Sequence, residues 1–144
     1  MSLEILENKD AICDVINQFS NLECDVHKQA EFFTEDTHIM VHMGDTLAMD
    51  IHGRAEMEKQ FSAFTSAVKA SHHMNGQQVI RFSKDGQTAE NVHYCRAVLV
   101  THEGDRDVLS DNYIRYIDTL VKVDGQWKIK IRDQYFVITR QQNL

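Results

Sequence analysis

Residues 108–139 read VLSDNYIRYIDTLVKVDGQWKIKIRDQYFVIT, and the fold turns on this stretch. Val108 to Val123 has the β-branched and aromatic content of a long strand, and Trp127 to Thr139 has that of a return strand. Asp124-Gly125 joins them, and an Asp-Gly pair suits a tight hairpin because both central residues of that turn need positive φ. Working backward, Thr88–Val100 reads as a strand ending at Glu103-Gly104-Asp105, and His73–Phe82 as one ending at Lys84-Asp85-Gly86. Thr37–Met43 and the shorter Ala48–His52 form a further pair, broken at Gly44-Asp45 and closed at Gly53.

The remaining segments have helical rather than alternating spacing. Ile5, Ala11, Ile12, Val15, Ile16 and Phe19 recur at helical intervals, with acids in the first turn that favour the positive end of the helix dipole. A second helix is expected over residues 26–33, and a third from Arg54 to about Val68, where Met57, Phe61, Phe64 and Val68 share one face. No repeat or linker divides residues 1–144, so one α+β domain is expected, its helices packed against a curved, mainly antiparallel sheet.

Composition narrows the partners. The formal net charge of -7 opposes binding to nucleic-acid phosphates. Apolar runs such as Ala97–Val100 fall far short of the roughly 20 residues that cross a membrane. The acidic N-terminus (Glu4, Glu7, Asp10) lacks the pattern of a secretory signal. Cys13, Cys24 and Cys95 are odd in number and widely spaced, which fits reduced thiols in a cytoplasmic protein.

Several anchors in order then carry a resemblance. They are Asp25 after the first helix, Phe32-Phe33-x-x-Asp36, Gly53 before the third helix and His72-His73 at the start of the long strands. Gly86-x-x-Ala89 and Tyr116-x-Asp118, leading to Asp124-Gly125-x-Trp127, complete the set. Together they resemble the SnoaL-like family of the NTF2-like superfamily over nearly the whole chain, and within it the branch of scytalone dehydratase and hexachlorocyclohexane dehydrochlorinase. The resemblance implies a cone-shaped fold enclosing a pocket and a histidine base oriented by an aspartate. Carried to the matching positions, that pair is Asp25 and His73.

Such a pair suits the elimination of water or halide. A histidine near neutrality accepts a proton from carbon, and a carboxylate on one ring nitrogen leaves the other as acceptor. Asp25 has a second reading as the cap of the following helix. His72 and His73 face opposite sides of their strand, and His73 is the one expected to point inward. His93, Asn112, Tyr116 and Arg132 are candidate substrate-binding residues, with Asp118 on the same strand face as Tyr116. Each also has a structural reading: His93 held by backbone, Tyr116 in packing, Asp118 as a solvated strand end, Arg132 as a surface cation. The branch also implies aromatic hydroxyls near the aspartate, and residues 19–24 supply none.

His38, His42 and His52 raise the question of a metal, but residues four apart on a strand lie about 13 Å apart, too far for one zinc. No HExxH or phosphate loop occurs, so neither metal nor cofactor is expected. The resulting expectation is a cofactor-independent lyase or isomerase acting on a small hydrophobic molecule, with a non-catalytic ligand-binding or interaction protein as the alternative. Tyr113, Ile117 and Val121 form an apolar stripe on the outward strand face that needs covering, and the family resemblance implies that a homodimer or homotrimer covers it.

Overall fold

Ser2 accepts a hydrogen bond from the Ile5 amide at 3.2 Å and so caps α1, Leu3–Asn21. Ile12 and Ile16 are buried from this helix, each worth about 1.5–3 kcal/mol of transfer free energy. The computed structural model describes all 144 residues. After α1 come α2 (Val26–Gln29), a 3-10 turn (Ala30–Phe32), β1 (Phe33–Met43), β2 (Thr46–His52) and α3 (Arg54–Thr65). Four long strands complete the chain: β3 (Val68–Phe82), β4 (Thr88–Glu103), β5 (Arg106–Val123) and β6 (Gln126–Asn143).

All six strands form one sheet in the order β2-β1-β6-β5-β4-β3. Every pairing is antiparallel except β1 with β6, which is parallel. This is the α+β cone with a mixed, mainly antiparallel sheet. Asp124 and Gly125 both have positive φ, 52° and 80°, as the hairpin reading requires. Gly53, at φ 94°, turns β2 into α3 while its amide donates to the Thr37 carbonyl at 2.7 Å.

The core lies between the helices and one face of the sheet and takes residues from all six strands. Phe33, Ile39, Ile51, Met57, Leu120 and Ile129 are buried there with Ile12 and Ile16. Trp127 closes one end and donates from Nε1 to Asn8 at 3.0 Å.

Three of the boundaries that differ from the sequence expectation show sheet pairing or exposure overriding local periodicity. Phe33 pairs with Ile129 instead of continuing a helix, which leaves α2 one turn long. Phe64 is exposed, so the third helix has no stripe to bury beyond Phe61 and ends at Thr65. Val68 pairs with Thr101 and starts β3 five residues early. No helix is long and apolar enough to cross a membrane.

Candidate active site

Cross-strand partners share a sheet face, so the register sorts the inward side chains into rows. His73, Ala97 and Asn112 make one row across β3, β4 and β5. Asn75, Cys95, Ile114 and Phe136 make the next. Beyond it lie Gln78, His93 and Tyr116, and then Ile80, Asn91, Asp118 and Arg132. Ala97 and His93 are four residues apart on β4, so His93 lies roughly 13 Å from the level of His73.

The end of α1 supplies His73 with its carboxylate, and that carboxylate is Glu23. His73 Nδ1 donates to Glu23 Oε2 at 2.5 Å, and the His73 amide donates to Oε1 at 3.1 Å. Ser71 Oγ adds a bond to Oε2 at 2.9 Å, and the Cys24 thiol donates to Ser71 at 3.5 Å. Burial raises the Glu23 carboxyl, but the hydrogen bonds from His73 and Ser71 outweigh it and hold it below the usual carboxylate range. His73 Nε2 has no hydrogen-bond partner within the chain and is not sealed from solvent. Its lone pair is therefore available.

Glu23 reaches this position through its backbone. It sits just past the end of α1 at φ 55°, a left-handed conformation that helix ends normally assign to glycine. A side chain there costs roughly 1–2 kcal/mol. Buried Gln29 holds the strained residue, donating to the Glu23 carbonyl at 2.6 Å and to the Phe19 carbonyl at 3.0 Å.

Asp25, the expected partner of His73, does something else. Its side chain accepts from the Lys28 amide at 3.3 Å and caps α2, with Lys28 Nζ 3.7 Å away. The capping reading of that residue describes its contacts, and Glu23 is the group that sequence reasoning missed. The signal available was a glutamate at the position where a helix end favours glycine.

The deeper rows hold a dry ionic network. Arg132 is no surface cation: it makes a two-pronged pair with Asp118, Nε to Oδ1 and Nη2 to Oδ2, both at 2.9 Å. Its guanidinium lies 4.4 Å from the Tyr116 ring centroid and 4.6 Å from that of Phe19. His93 Nε2 lies 2.7 Å from Asp118 Oδ2, and its ring stacks on Tyr116 at 4.8 Å. Burial would raise the Asp118 carboxyl, yet the charges of Arg132 and His93 bring it down to about 2. Nε2–H donates to the carboxylate, and His93 Nδ1 is buried without a partner.

Two more groups occupy the intermediate rows. Asn112 donates one side-chain N–H to the Ala97 carbonyl at 3.1 Å, which leaves its other N–H and its amide oxygen. Burial pushes the Cys95 thiol up to about 11, which keeps it neutral and a poor nucleophile.

Pairing with a carboxylate does not by itself mark a catalytic histidine, because seven of the eight histidines have one. Only His73 and His93 lie on the inward face among these, and only His73 has a second nitrogen open to solvent. Two surface depressions have no imidazole in their walls. One, of about 370 Å³, is lined by Tyr94, Tyr113 and Val137 and also by Asn75, Cys95 and Ile114 of the row next to His73. The other, of about 540 Å³, is bordered by Asp14, Glu31, Arg54 and Lys128.

The coupling is measurable without a substrate. Neutral His73 should show the Nδ1–H tautomer in 15N spectra, and Glu23→Gln should abolish that preference. In His73→Ala the Glu23 carboxyl should titrate at higher pH than in the wild type, because its main stabilising donor is gone. An unchanged Glu23 titration would mean that the two side chains do not meet in solution.

Comparison with known structures agrees with this architecture. A provisionally assigned scytalone dehydratase from Novosphingobium aromaticivorans superposes with a TM-score of 0.85 at 23% identity, over 100% of this chain and 93% of the other. The hexachlorocyclohexane dehydrochlorinase LinA-type3 from Novosphingobium barchaimii gives 0.78 at 14% identity, over 97% and 93%. ActVI-ORFA from Streptomyces coelicolor gives 0.71 at 17%, over 90% and 97%. At such identities the likeness establishes the fold alone. Comparison with curated proteins finds no significant match. The family model for the SnoaL-like domain matches residues 4–133, nearly the whole sheet and all three helices, and the chain belongs to that family.

Proposed function

We propose that this protein is a cofactor-independent lyase or isomerase that acts on a small, largely apolar molecule, with His73 Nε2 as the base. The observation that carries the proposal is the Glu23–His73 pair with its second ring nitrogen unoccupied. Glu23 fixes the tautomer and offsets the charge that His73 acquires on taking a proton. In an elimination, His73 removes a proton from carbon, the C–H electrons form the double bond, and the leaving group departs with its bonding pair.

Ala97, Cys95, Ile114 and Phe136 offer the substrate an apolar wall beside this base. Asn112 keeps its amide oxygen and its second N–H for a polar group of the substrate. Tyr116, His93 and Arg132 serve from deeper in the fold: the Asp118 pairings commit the last two to each other's support, and His93 Nδ1 remains as one buried, unpartnered nitrogen. The solved structures that share the fold include proteins described as dehydratase and dehydrochlorinase, which supports elimination as the first chemistry to try.

The test is a screen of small cyclic alcohols and halides with an acidic β C–H, read by alkene absorbance or halide release. Turnover that disappears in His73→Ala supports the proposal. A ligand that binds tightly, is not turned over and tolerates His73→Ala would instead make the chain a binding protein.

The outer sheet face supports self-association. Met74, Tyr113 and Ile138 are exposed there, while Ile117 and Val121 are half-buried. A dimer or trimer through this face should dissociate on dilution in the Tyr113→Glu variant when the wild type does not, as read by light scattering. A wild type that is monomeric at high concentration would remove the proposal.

A further inference from the structure

His38 and His52 are direct partners across the β1–β2 hairpin. Their imidazoles stack at 4.2 Å between centroids with 18° between planes. Both rings present Nε2 to the same atom, Asp50 Oδ1, at 2.6 Å from His38 and 3.4 Å from His52. Asp50 lies two residues before His52 and so projects from the same face of β2. Spacing along β1 had argued against a metal by comparing His38 with His42. The hairpin register supplies the closeness that a single strand cannot, while His42 lies 2.5 Å from Asp133 instead.

We propose that His38, Asp50 and His52 form a binding site for a first-row divalent transition metal ion, with Zn²⁺ as its simplest occupant. The three ligand atoms already lie within 4.8 Å of one another. With metal–ligand bonds of about 2.0–2.2 Å, neighbouring ligands of a tetrahedral zinc lie about 3.3 Å apart. The His52–Asp50 separation matches that edge as it stands. His38 needs to withdraw from Asp50 by less than 1 Å, and the two imidazoles need to draw together at their Nε2 atoms. His52, Asp50 and His38 have side chains 70%, 48% and 33% exposed, so each can shift toward solvent on this face.

The backbone beneath the site is firm. Ile39 and Ile51, the next pair along, are both completely buried on the opposite face and pin the two strands together. Gly53 ties the end of β2 to Thr37. Two imidazole nitrogens and one carboxylate favour Zn²⁺, Ni²⁺ or Cu²⁺ over Mg²⁺ or Ca²⁺, which prefer all-oxygen shells. Three protein ligands leave a fourth position for water. The site is on the sheet face opposite His73, so its occupancy is separate from the proposed reaction. β2 is the edge strand of the sheet, and a bound ion would clasp it to β1.

The experiment is a Zn²⁺ titration of the full chain against a chromophoric chelator, on wild type, His38→Ala, His52→Ala, Asp50→Asn and His102→Ala. All these side chains are at least partly exposed, and circular dichroism establishes that each variant folds. One equivalent of Zn²⁺ should bind and raise the melting temperature. Loss of an outer-sphere partner alone weakens metal sites about tenfold or more, so each of the first three variants should lose at least that. His102→Ala, which removes an unrelated exposed histidine paired with Asp107, should bind as the wild type does. Equal affinity in the wild type and the His52→Ala variant would overturn the proposal. So would Ni²⁺ that broadens the ring signals of His27 and His102 as strongly as those of His38 and His52.

Discussion

Arg132→Ala is expected to lower the unfolding free energy by about 3–5 kcal/mol, the cost of stripping one partner from a buried ion pair. Asp118 would be left fully buried with only His93 to answer its charge, and the space between Phe19, Phe33 and Tyr116 would empty. Asp118→Asn should cost a comparable amount for the opposite reason, an unanswered guanidinium. The double variant Arg132→Met/Asp118→Asn should regain much of the loss, because neither charge remains to be desolvated. Urea denaturation of the four proteins decides the matter. A single-variant loss below about 1 kcal/mol would place Arg132 in water.

The same pair gives the fold an acid limit. Asp118 titrates at about 2 in the fold against 3.8 ordinarily, so its folded value is depressed. Its contribution is complete above about pH 4 and is lost as the pH falls toward 2, on the order of 2 kcal/mol in total. Asp118→Asn should flatten that limb of the stability profile.

The second large effect is on turnover. General-base catalysis contributes about 10²–10⁴-fold, so His73→Ala should reduce kcat by that factor on any substrate the screen identifies. Glu23→Gln should fall between that variant and the wild type, since the imidazole remains but its tautomer and its developing charge are unsupported. Asp25→Asn should change kcat only a few-fold, because asparagine caps a helix nearly as well as aspartate. An Asp25→Asn variant as impaired as Glu23→Gln would reverse the assignment of the orienting acid.

How much of this could be read in the sequence depended on the range of the contact. The Asp124-Gly125 turn and the alternation of β5 are local, and they placed Tyr116 and Asp118 on one inward face. Strand parity also separated His73 from the exposed His72. Glu23 escaped because its aim depends on a positive φ beyond the helix end, which composition does not announce. Arg132 read as a substrate-binding or a surface residue because its partner is fourteen positions away on the neighbouring strand. The His38–His52 contact needed the hairpin register, and that register shifts at a bulge between Val41 and His42.

The place of β6 in the sheet governs the order in which the chain can fold. It lies between β1 and β5, yet it comes after all five other strands in the chain. Thr37 waits for a carbonyl acceptor 92 residues further along, at Ile129. Until β6 arrives, β1 and β2 form a hairpin open at both edges, and no strand pairing joins it to the meander of β3, β4 and β5. Such distant pairing closes its loop before any contact rewards it, so refolding should be slow for a chain of this length. A nascent chain stalled before Gln126 would present two unjoined half-sheets with unpaired strand edges, which is the form most exposed to aggregation.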